Sequence, residues 1–570
     1  MIDKRVLRWE VMNAGGWEYL LPRAPRRRWL CVDASRGATT LLLAGLCDEL
    51  HVVPANRAAS EEIADRLSVE GVVNARLAVE GVFPEEPHGD GFDGFVLHDL
   101  SGVLDRQAVE QALRAGAQRI APDGFVYVAL RNRYGYTRLR RRWPEIWQRR
   151  TGAYFSARAV RQLVGGGRET VLYPLISTGN GQVVEMVPPG GYVSAKNPSL
   201  ANEILRRWLL GRRGAQYWSP GFALVSTGDP KARSGLAFAL DTLGAHGCLK
   251  PRVELGELVK RYHVLNGGKA IVSVGEMPGR YGSYIVVLVR SPEFTERRRH
   301  EGKLLSRLAA LPPEIASRIP RFYYEEEAGG AHVFVLQEFP GVTLDAPVAG
   351  LRVATRDAAH FLLRLHVATR QAIRLTPARF QAMLGGAFEI ARRRYPVLAA
   401  ALDRLEAALQ KSLINAELPV VWMHGDFKIE NIVVDERSCR LLGVIDWEIS
   451  EPEGLPLLDL WYLFLYNRQI ERGVDFLMVV QDVLPPFQFT GEEAALYAEY
   501  MRALDIAPSL LPALAGALIL HHAARRMEYH PNNAGAMERL RILLEELVAW
   551  NESAGAPFRV NMARGARTNA

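Results

Sequence analysis

The segment His424-Gly425-Asp426-Phe427-Lys428-Ile429-Glu430-Asn431 decides the fold of the C-terminal half of this chain. It lies between two apolar stretches, 419–423 and 432–434, which predict strands on either side of a tight loop. Asp446 follows 15 residues after Asn431, at the end of a third apolar stretch. Phosphoryl transfer requires hard oxygen ligands for Mg²⁺ and a carboxylate that orients the attacking hydroxyl. These residue types at this spacing supply that set.

The same residues resemble the catalytic loop of the aminoglycoside phosphotransferase and choline kinase-like branch of the protein-kinase-like fold. That branch carries H-G-D-x-x-x-x-N followed by I-D-W-E, and the resemblance covers about residues 260–530. It implies an α+β, protein-kinase-like domain in the C-terminal part. It also implies Asp426 as the catalytic base, Asn431 and Asp446 as ligands of Mg²⁺, and His424 as a residue that shapes the loop.

Further positions extend the resemblance to the nucleotide. Lys428 lies where protein kinases place a lysine near the transferred phosphate, although a solvated loop lysine is an equal alternative. Glu301 resembles the glutamate of helix C. Glu338 and Phe339 belong to a segment that resembles the hinge, whose backbone meets the adenine. The resemblance therefore implies ATP and Mg²⁺ as cofactors.

One departure from the family concerns the strand before helix C, which usually carries a lysine that holds the α- and β-phosphates. Aligned on the following Ser-Pro, the position of that lysine falls on Val287; shifted, it falls on Arg290. Arginine can bind phosphate but is not equivalent to lysine. Lys269, on the preceding predicted strand, is a second substitute. A pseudokinase without turnover is therefore an open alternative.

The first 230 residues alternate strand-like and helix-like stretches, which predicts βαβ units and an α/β, Rossmann-like domain. The pattern predicts a strand over Trp29–Val32, a turn over Asp33–Gly37 and an apolar helix from Thr39. Ser60–Leu67 has helical spacing, with Ser60 as the predicted N-cap. Glycine at a strand-to-helix turn lets a nucleotide-like ligand approach the backbone at a helix N-terminus.

This turn resembles the first motif of class I S-adenosylmethionine-dependent methyltransferases, D-x-G-x-G-x-G. The resemblance implies a methyltransferase-type fold, with Asp33 and Gly37 as cofactor-binding residues and S-adenosylmethionine as a possible cofactor. Gly37 alone of the three glycines is present, and Ala55 or Asn56 stands where an acidic residue should hold the ribose. The alternative is a doubly wound scaffold that positions the C-terminal domain or recognises its acceptor.

Composition and pattern divide the chain into three parts. Residues 1–230 form the methyltransferase-like domain, 231–340 the N-lobe of the kinase-like domain with a preceding linker, and 341–570 its helical C-lobe. The N-lobe should contain a hairpin of Lys269–Val274 and Tyr284–Val289, whose apolar residues alternate as in strands.

The chain has 570 residues and a formal charge of +7, a mild excess that suggests anionic partners. Its four cysteines have no metal-site spacing, and no apolar run reaches the roughly 20 residues of a membrane span. We therefore expect a cytoplasmic protein, with a peripheral position at the inner membrane face as an alternative. Arg131–Arg150 and Leu205–Arg213 combine arginine with aromatic residues. They predict contact with an anionic membrane or a lipid-linked substrate, a solvated face being the alternative, and nucleic acid is not expected.

The function expected from these patterns is Mg·ATP-dependent phosphorylation of a hydroxyl on a small molecule or glycan. The biosynthesis of surface polysaccharides or natural products is the expected context. One alternative is a bifunctional kinase–methyltransferase, and another is a pseudokinase scaffold at a membrane surface. The acceptor and the oligomeric state stay open.

Overall fold

The computed structural model describes most of the chain in two units. Unit 1 comprises Met1–Arg299 and Phe322–Glu338, and unit 2 comprises His300–Arg321 and Phe339–Ala570. Leu205–Arg213 and most of Arg131–Arg150 lie outside the described residues. Those described are 15–22, 28–79, 82–84, 91–100, 102–133, 154–164, 168–177, 183–186, 219, 221–248, 259–265, 269–275, 283–344, 350–483, 489–526 and 534–552.

Unit 1 begins with five parallel strands. They are β1 Arg28–Asp33, β2 Glu49–Pro54, β3 Ala75–Leu77, β4 Phe92–Asp99 and β5 Ile120–Arg131. Their pairing gives the order β3-β2-β1-β4-β5, which is that of a doubly wound sheet. Residues 29–33 of β1 are all buried, because helices cover both faces of such a sheet.

An antiparallel pair extends this sheet beyond β5. Strand β8, Gly221–Thr227, runs antiparallel to β5, and β6, Glu169–Ser177, pairs with the other side of β8. The seven strands thus combine a Rossmann-type half with an antiparallel addition. The predicted α/β class of the N-terminal part is confirmed.

Three of the helices that cover this sheet are capped by a side chain at their start. The helices of the sheet are α1 Ala38–Ala44, α2 Arg57–Glu70, α3 Arg106–Gln118, α4 Ala157–Val164 and α5 Gly235–Ala245. The prediction of Ser60 as an N-cap is wrong: α2 begins at Arg57, since the Asn56 side chain accepts the N–H of Ala59 at 2.9 Å. Asp105 and Ser234 cap α3 and α5 in the same way.

The sheet continues from the doubly wound domain into the N-lobe. Strand β7, Val183–Met186, pairs with β6 on one side and with β9, Val259–Leu265, on the other. The N-lobe strands β10 Lys269–Val274, β11 Tyr284–Val289, β13 Ala331–Gln337 and β12 Phe322–Ala328 follow in that order. The predicted hairpin of β10 and β11 is confirmed by its antiparallel register. Helix α6, Pro292–Leu308, follows β11.

One hydrophobic cluster unites the two parts of unit 1. It contains side chains from both, among them Tyr19, Leu240, Val272, Leu288 and Val335. The N-lobe sheet therefore buries one face against residues of the N-terminal part.

Unit 2 is mainly helical and has the predicted kinase-like α+β organisation. Its helices are α7 Pro313–Ala316, α8 Leu351–Thr369, α9 Pro377–Phe380, α10 Gly386–Arg394, α11 Ala399–Leu413, α12 Leu458–Arg472, α13 Phe476–Val483, α14 Gly491–Leu504, α15 Leu511–Arg526 and α16 Ala534–Glu552. Its strands form two small sheets in the orders β14-β17-β18 and β15-β16-β19. They are β14 Val342–Thr343, β15 Gln371–Arg374, β16 Glu417–Met423, β17 Ile432–Val434, β18 Leu441–Val444 and β19 Glu451–Gly454.

Among the helices of the described residues, none is by itself long and apolar enough to cross a membrane. The helix pair 491–504 and 508–524, bent by 109°, meets that criterion together, by length and composition only.

Candidate active site

The loop 424–431 follows the buried strand β16 and is anchored by a distant carboxylate. Gly425 adopts φ +84°, a left-handed conformation that suits glycine. Asp459, in the first turn of α12, accepts the N–H of His424 at 2.6 Å and that of Gly425 at 2.9 Å. Asp459 is buried, so these bonds are shielded from water. The loop therefore has a fixed backbone at its start.

Asp426 and Asn431 meet across this loop. The Asn431 amide donates to the Asp426 backbone oxygen at 2.9 Å and to Asp426 Oδ2 at 3.1 Å. Both amide protons thus point towards Asp426, which leaves the Asn431 oxygen as the acceptor end of the amide. The predicted base and the predicted metal ligand are brought together.

Lys428 lies beside the same carboxylate. Its Nζ is 3.0 Å from Asp426 Oδ2 and 3.4 Å from Glu430 Oε2, and its side chain is 12% exposed. Its Nζ also lies over the Tyr466 ring, 5.6 Å from the centroid. The lysine is therefore held at the loop and does not extend freely into solvent.

The hairpin of β17 and β18 brings Asp446 to the loop. Ile432 pairs with Val444, and the N–H of Ile445 donates to the Asn431 carbonyl at 2.9 Å. Asp446, one residue further, has φ +69°, which is uncommon for a non-glycine residue. Its backbone position next to Asn431 follows from strand pairing.

Two buried side chains hold the peptides on either side of Asp446. His424 accepts the N–H of Asp426 on Nδ1 at 3.3 Å, so its Nε2 carries the proton and donates to the Ile445 carbonyl at 3.0 Å. Glu301 of α6 accepts the N–H of Trp447 at 3.0 Å. His424 thus shapes both segments, and Glu301 supports the residue after Asp446.

The side chains at this site fit a magnesium ion by chemistry. Asp426, Asn431 and Asp446 offer carboxylate and amide oxygens, the hard donors that Mg²⁺ takes from proteins, usually with waters and substrate phosphates. Asn431 is buried, and the two aspartates are half-buried.

The two residues predicted as the hinge, Glu338 and Phe339, directly follow β13. The N–H of Glu338 donates to the Ser283 carbonyl at 2.9 Å, and its carboxylate accepts the Ser273 hydroxyl. In unit 2, the largely buried ring of Phe339 packs against Gly443 of β18 so closely that a Cβ there would lie 2.2 Å from the ring.

Arg290 lies on Tyr19. Its guanidinium is 4.8 Å from the centroid of that ring, and its Nε and Nη1 are buried without a hydrogen-bond partner in the described part of the chain. Tyr19 belongs to the core shared with the N-terminal part. Arg290 therefore faces that core.

In the N-terminal domain, Asp33 closes its own turn. It is fully buried and accepts the N–H and hydroxyl of Ser35 at 2.6 and 2.7 Å. Its other oxygen accepts the N–H of Thr40 at 3.0 Å and the Thr40 hydroxyl. Gly37 has φ +102°, and a Cβ there would lie 2.9 Å from Arg66 Cδ. A neighbouring side chain thus occupies the space beside this glycine.

Sequence reasoning did not assign roles to two buried carboxylates. Asp99, at the end of β4, accepts the N–H groups of Gly102, Val103 and Leu104 at 2.7–2.9 Å. Asp459 anchors the loop at 424–425, as described above. Two sequence signals mark Asp459: it is an acidic residue inside the otherwise apolar stretch 455–465, and Asp459-Leu460 resembles the continuation of the family's motif.

Comparison with known families identifies the C-terminal part. Residues 275–533 match the model of the phosphotransferase enzyme family, APH. This part of the chain therefore carries a phosphotransferase-family domain.

Curated relatives match over a short stretch only. Acyl-CoA dehydrogenase family member 11 is 42% identical to this chain in Mus musculus and 38% identical in Homo sapiens, over 66 residues in each case. The match covers 12% of this chain and spans only 8% of the length of those relatives.

Solved structures give distant likenesses to both parts. Aminoglycoside phosphotransferase APH(3'')-Id from Streptomyces rimosus is 20% identical, with a TM-score of 0.30, over 45% of this chain and 89% of that chain. N-methyltransferase NodS from Bradyrhizobium japonicum is 13% identical, with a TM-score of 0.22, over 39% of this chain and 92% of that chain.

Proposed function

Since residues 275–533 carry a phosphotransferase-family domain, we propose that this protein transfers the terminal phosphate of Mg·ATP to a hydroxyl of a small molecule or glycan. The observation that carries the proposal is the cluster of Asp426, Lys428, Asn431 and Asp446, which strand pairing and buried hydrogen bonds hold together. This cluster combines a carboxylate, a cation and oxygen donors, the groups that phosphoryl transfer needs.

Asp426 orients the acceptor hydroxyl and takes its proton as the hydroxyl oxygen forms a bond to the γ-phosphorus. The bond from that phosphorus to the bridging oxygen breaks in line, and ADP leaves with the electron pair. Asn431 holds the Asp426 carboxylate in place through its amide at 3.1 Å. His424 and Asp459 fix the loop on which the base is carried.

Asn431 and Asp446 would hold the magnesium ion, which neutralises the polyphosphate when it is bound. Lys428, adjacent to Asp426, places positive charge where the transferred phosphoryl group arrives. The backbone at Glu338 and Phe339 would meet the adenine. Surface-polysaccharide or natural-product biosynthesis is the proposed context.

The N-terminal domain acts in this proposal as a scaffold for the N-lobe. Two observations favour this role over methyl transfer. The carboxylate of Asp33 is occupied by Ser35 and Thr40, and the space beside Gly37 is occupied by Arg66. Binding of S-adenosylhomocysteine in a calorimetric titration would favour the bifunctional kinase–methyltransferase instead.

The test is the effect of Asp426→Asn on turnover and on nucleotide binding. With a panel of aminoglycosides and sugars as acceptors, ADP release should fall by about 10²–10⁴-fold, the usual contribution of a general base. The affinity for Mg·ATP, from calorimetry, should stay close to that of the wild type. Glu436→Gln, at an exposed position of the β17–β18 turn, is the matched control. Turnover retained in Asp426→Asn removes Asp426 as the base, and wild-type protein that binds no ATP favours the pseudokinase scaffold.

A further inference from the structure

The phosphate-binding lysine usual in this family is absent from β11, whose sequence is Tyr-Ile-Val-Val-Leu-Val. Phosphates of a nucleotide need a cation, and arginine or lysine can supply it. Two residues near the end of β11 carry such a charge, Arg290 directly after it and Lys269 at the start of the neighbouring strand β10. The direction in which each side chain points distinguishes them.

Arg290 points to the core shared with the N-terminal part. Successive side chains of a strand alternate between its faces. Tyr284, Val286 and Leu288 are members of the shared core, and Arg290 continues their parity. Its stacking on Tyr19 agrees with this direction.

Lys269 points to the opposite face. Ala270 pairs with Leu288 in the antiparallel register, so Lys269 lies beside Val289 one step along. Residues that face each other in such a pair project to the same side of the sheet. Lys269 therefore shares the side of Val287 and Val289, where the family's lysine is expected.

Helix α6 packs on that side. Lys269 Nζ lies 4.6 Å from the centroid of the Phe294 ring, near the start of α6, the helix that also carries Glu301. Lys269 is only 7% exposed. Among the described side chains of β10, β11 and β13, it is the only lysine or arginine. Lysine is one of the residue types least often buried to this extent.

We propose that Lys269 binds the nucleotide phosphates in place of the lysine that β11 lacks. The same chemical group then reaches the phosphates from β10, one strand away from its usual position. The inference rests on the proposed kinase function and adds the residue that binds the α- and β-phosphates. It also assigns Arg290 to the shared core.

The experiment compares ligands that differ only in phosphate. Wild-type protein, Lys269→Met, Arg290→Gln and the exposed-lysine control Lys231→Met are titrated calorimetrically with adenosine, Mg·ADP and Mg·ATP. Lys269→Met should lose about tenfold or more in affinity for ADP and ATP, as expected for a lost charged contact, and keep its affinity for adenosine. Arg290→Gln and Lys231→Met should bind all three ligands like the wild type.

A swap variant tests the position directly. Lys269→Val/Val289→Lys moves the lysine to the strand that usually carries it and leaves the composition unchanged. The swap variant should regain part of the ATP affinity lost in Lys269→Val. Thermal unfolding midpoints of the two variants check that both are folded.

Each other outcome overturns the inference. An equal loss for adenosine and ATP in Lys269→Met assigns the lysine to packing on Phe294. A phosphate-dependent loss in Arg290→Gln alone assigns the site to Arg290. Arg298→Gln tests a buried arginine of α6 as the phosphate-binding cation. If this variant loses affinity for the phosphate-bearing ligands and Lys269→Met does not, the phosphate-binding cation lies on α6. Wild-type protein without ATP affinity removes the proposed function itself, a result distinct from a silent Lys269→Met in a protein that binds ATP.

Discussion

At the scale of single residues, the candidate site depends on side chains that bind no ligand. Asp459 accepts two backbone N–H groups, His424 joins the loop to Ile445, and Glu301 accepts the N–H of Trp447. These partners lie 21–146 residues apart along the chain. Nothing in local spacing predicts such bonds, because they arise only when the fold brings distant segments together. The loop itself was predictable, since its own eight residues carry the pattern.

The anchoring role of Asp459 gives a prediction at this scale. Asp459→Asn replaces one acceptor oxygen with a donor that faces a backbone N–H, so a buried N–H loses its partner. The stability of unit 2 should fall by about 1–3 kcal/mol, and turnover should fall with the loss of loop geometry. Urea unfolding and ADP release measure the two effects. The control is Asp505→Asn, whose carboxylate is 90% exposed. Wild-type stability in Asp459→Asn would contradict the anchoring role.

At the scale of elements, periodicity predicted the strands and the hairpin. It did not predict which residue caps a helix or which distant strands pair. The β10–β11 hairpin matches its prediction because apolar alternation is a local property. Ser60 was predicted as a cap because it precedes an apolar pattern, yet the Asn56 side chain makes the capping bond four residues earlier. The pairing of β7 with β9 has no local signal, since it joins segments more than 70 residues apart.

The contact between Phe339 and Gly443 gives a prediction for the hinge. A methyl group at Gly443 would lie 2.2 Å from the Phe339 ring, so Gly443→Ala should displace that ring and the adjacent backbone. Affinity for adenosine and for ATP should fall by the same factor, on the order of tenfold, because adenine contacts are common to both. This differs from Lys269→Met, which affects phosphate-bearing ligands only.

Calorimetry with both ligands checks this, and Gly386→Ala is the control. Gly386 lies in α10, and apart from its chain neighbours and the backbone of its own helix no described atom lies within 4 Å of the position that a methyl group would take there, so alanine should be tolerated. A loss for ATP without a loss for adenosine would argue against the assignment of 338–339 as the adenine hinge.

At the scale of the whole molecule, buried histidines in both units link stability to pH. Burial lowers the pKa of His98 in unit 1 to about 4 and that of His366 in unit 2 to about 3. The usual value is about 6.5. Between these values the unfolded chain binds protons that the folded chain does not. The stability that comes from keeping these two histidines neutral is therefore fully present above about pH 6.5, and it is lost as the pH falls below that value.

Each unit should consequently lose about 1.4 kcal/mol of stability at about pH 5.5 relative to pH 7.5 from its histidine alone. Urea midpoints at the two pH values measure this. His366→Gln removes one titrating group, so the unfolding of unit 2 should depend less on pH in this variant than in the wild type. An unchanged dependence would show that other groups dominate.

The pairing of β7 with β9 also bears on aggregation. A lone doubly wound domain would end in β7, and a lone N-lobe would end in β9. Each would then be an edge strand with unpaired backbone N–H and carbonyl groups, which templates association with other chains. In the fused sheet each of these strands covers the other, and among the strands of the described residues only β3 and β12 remain at the ends. A gene that encoded either half alone would have to acquire a new means of protecting that edge.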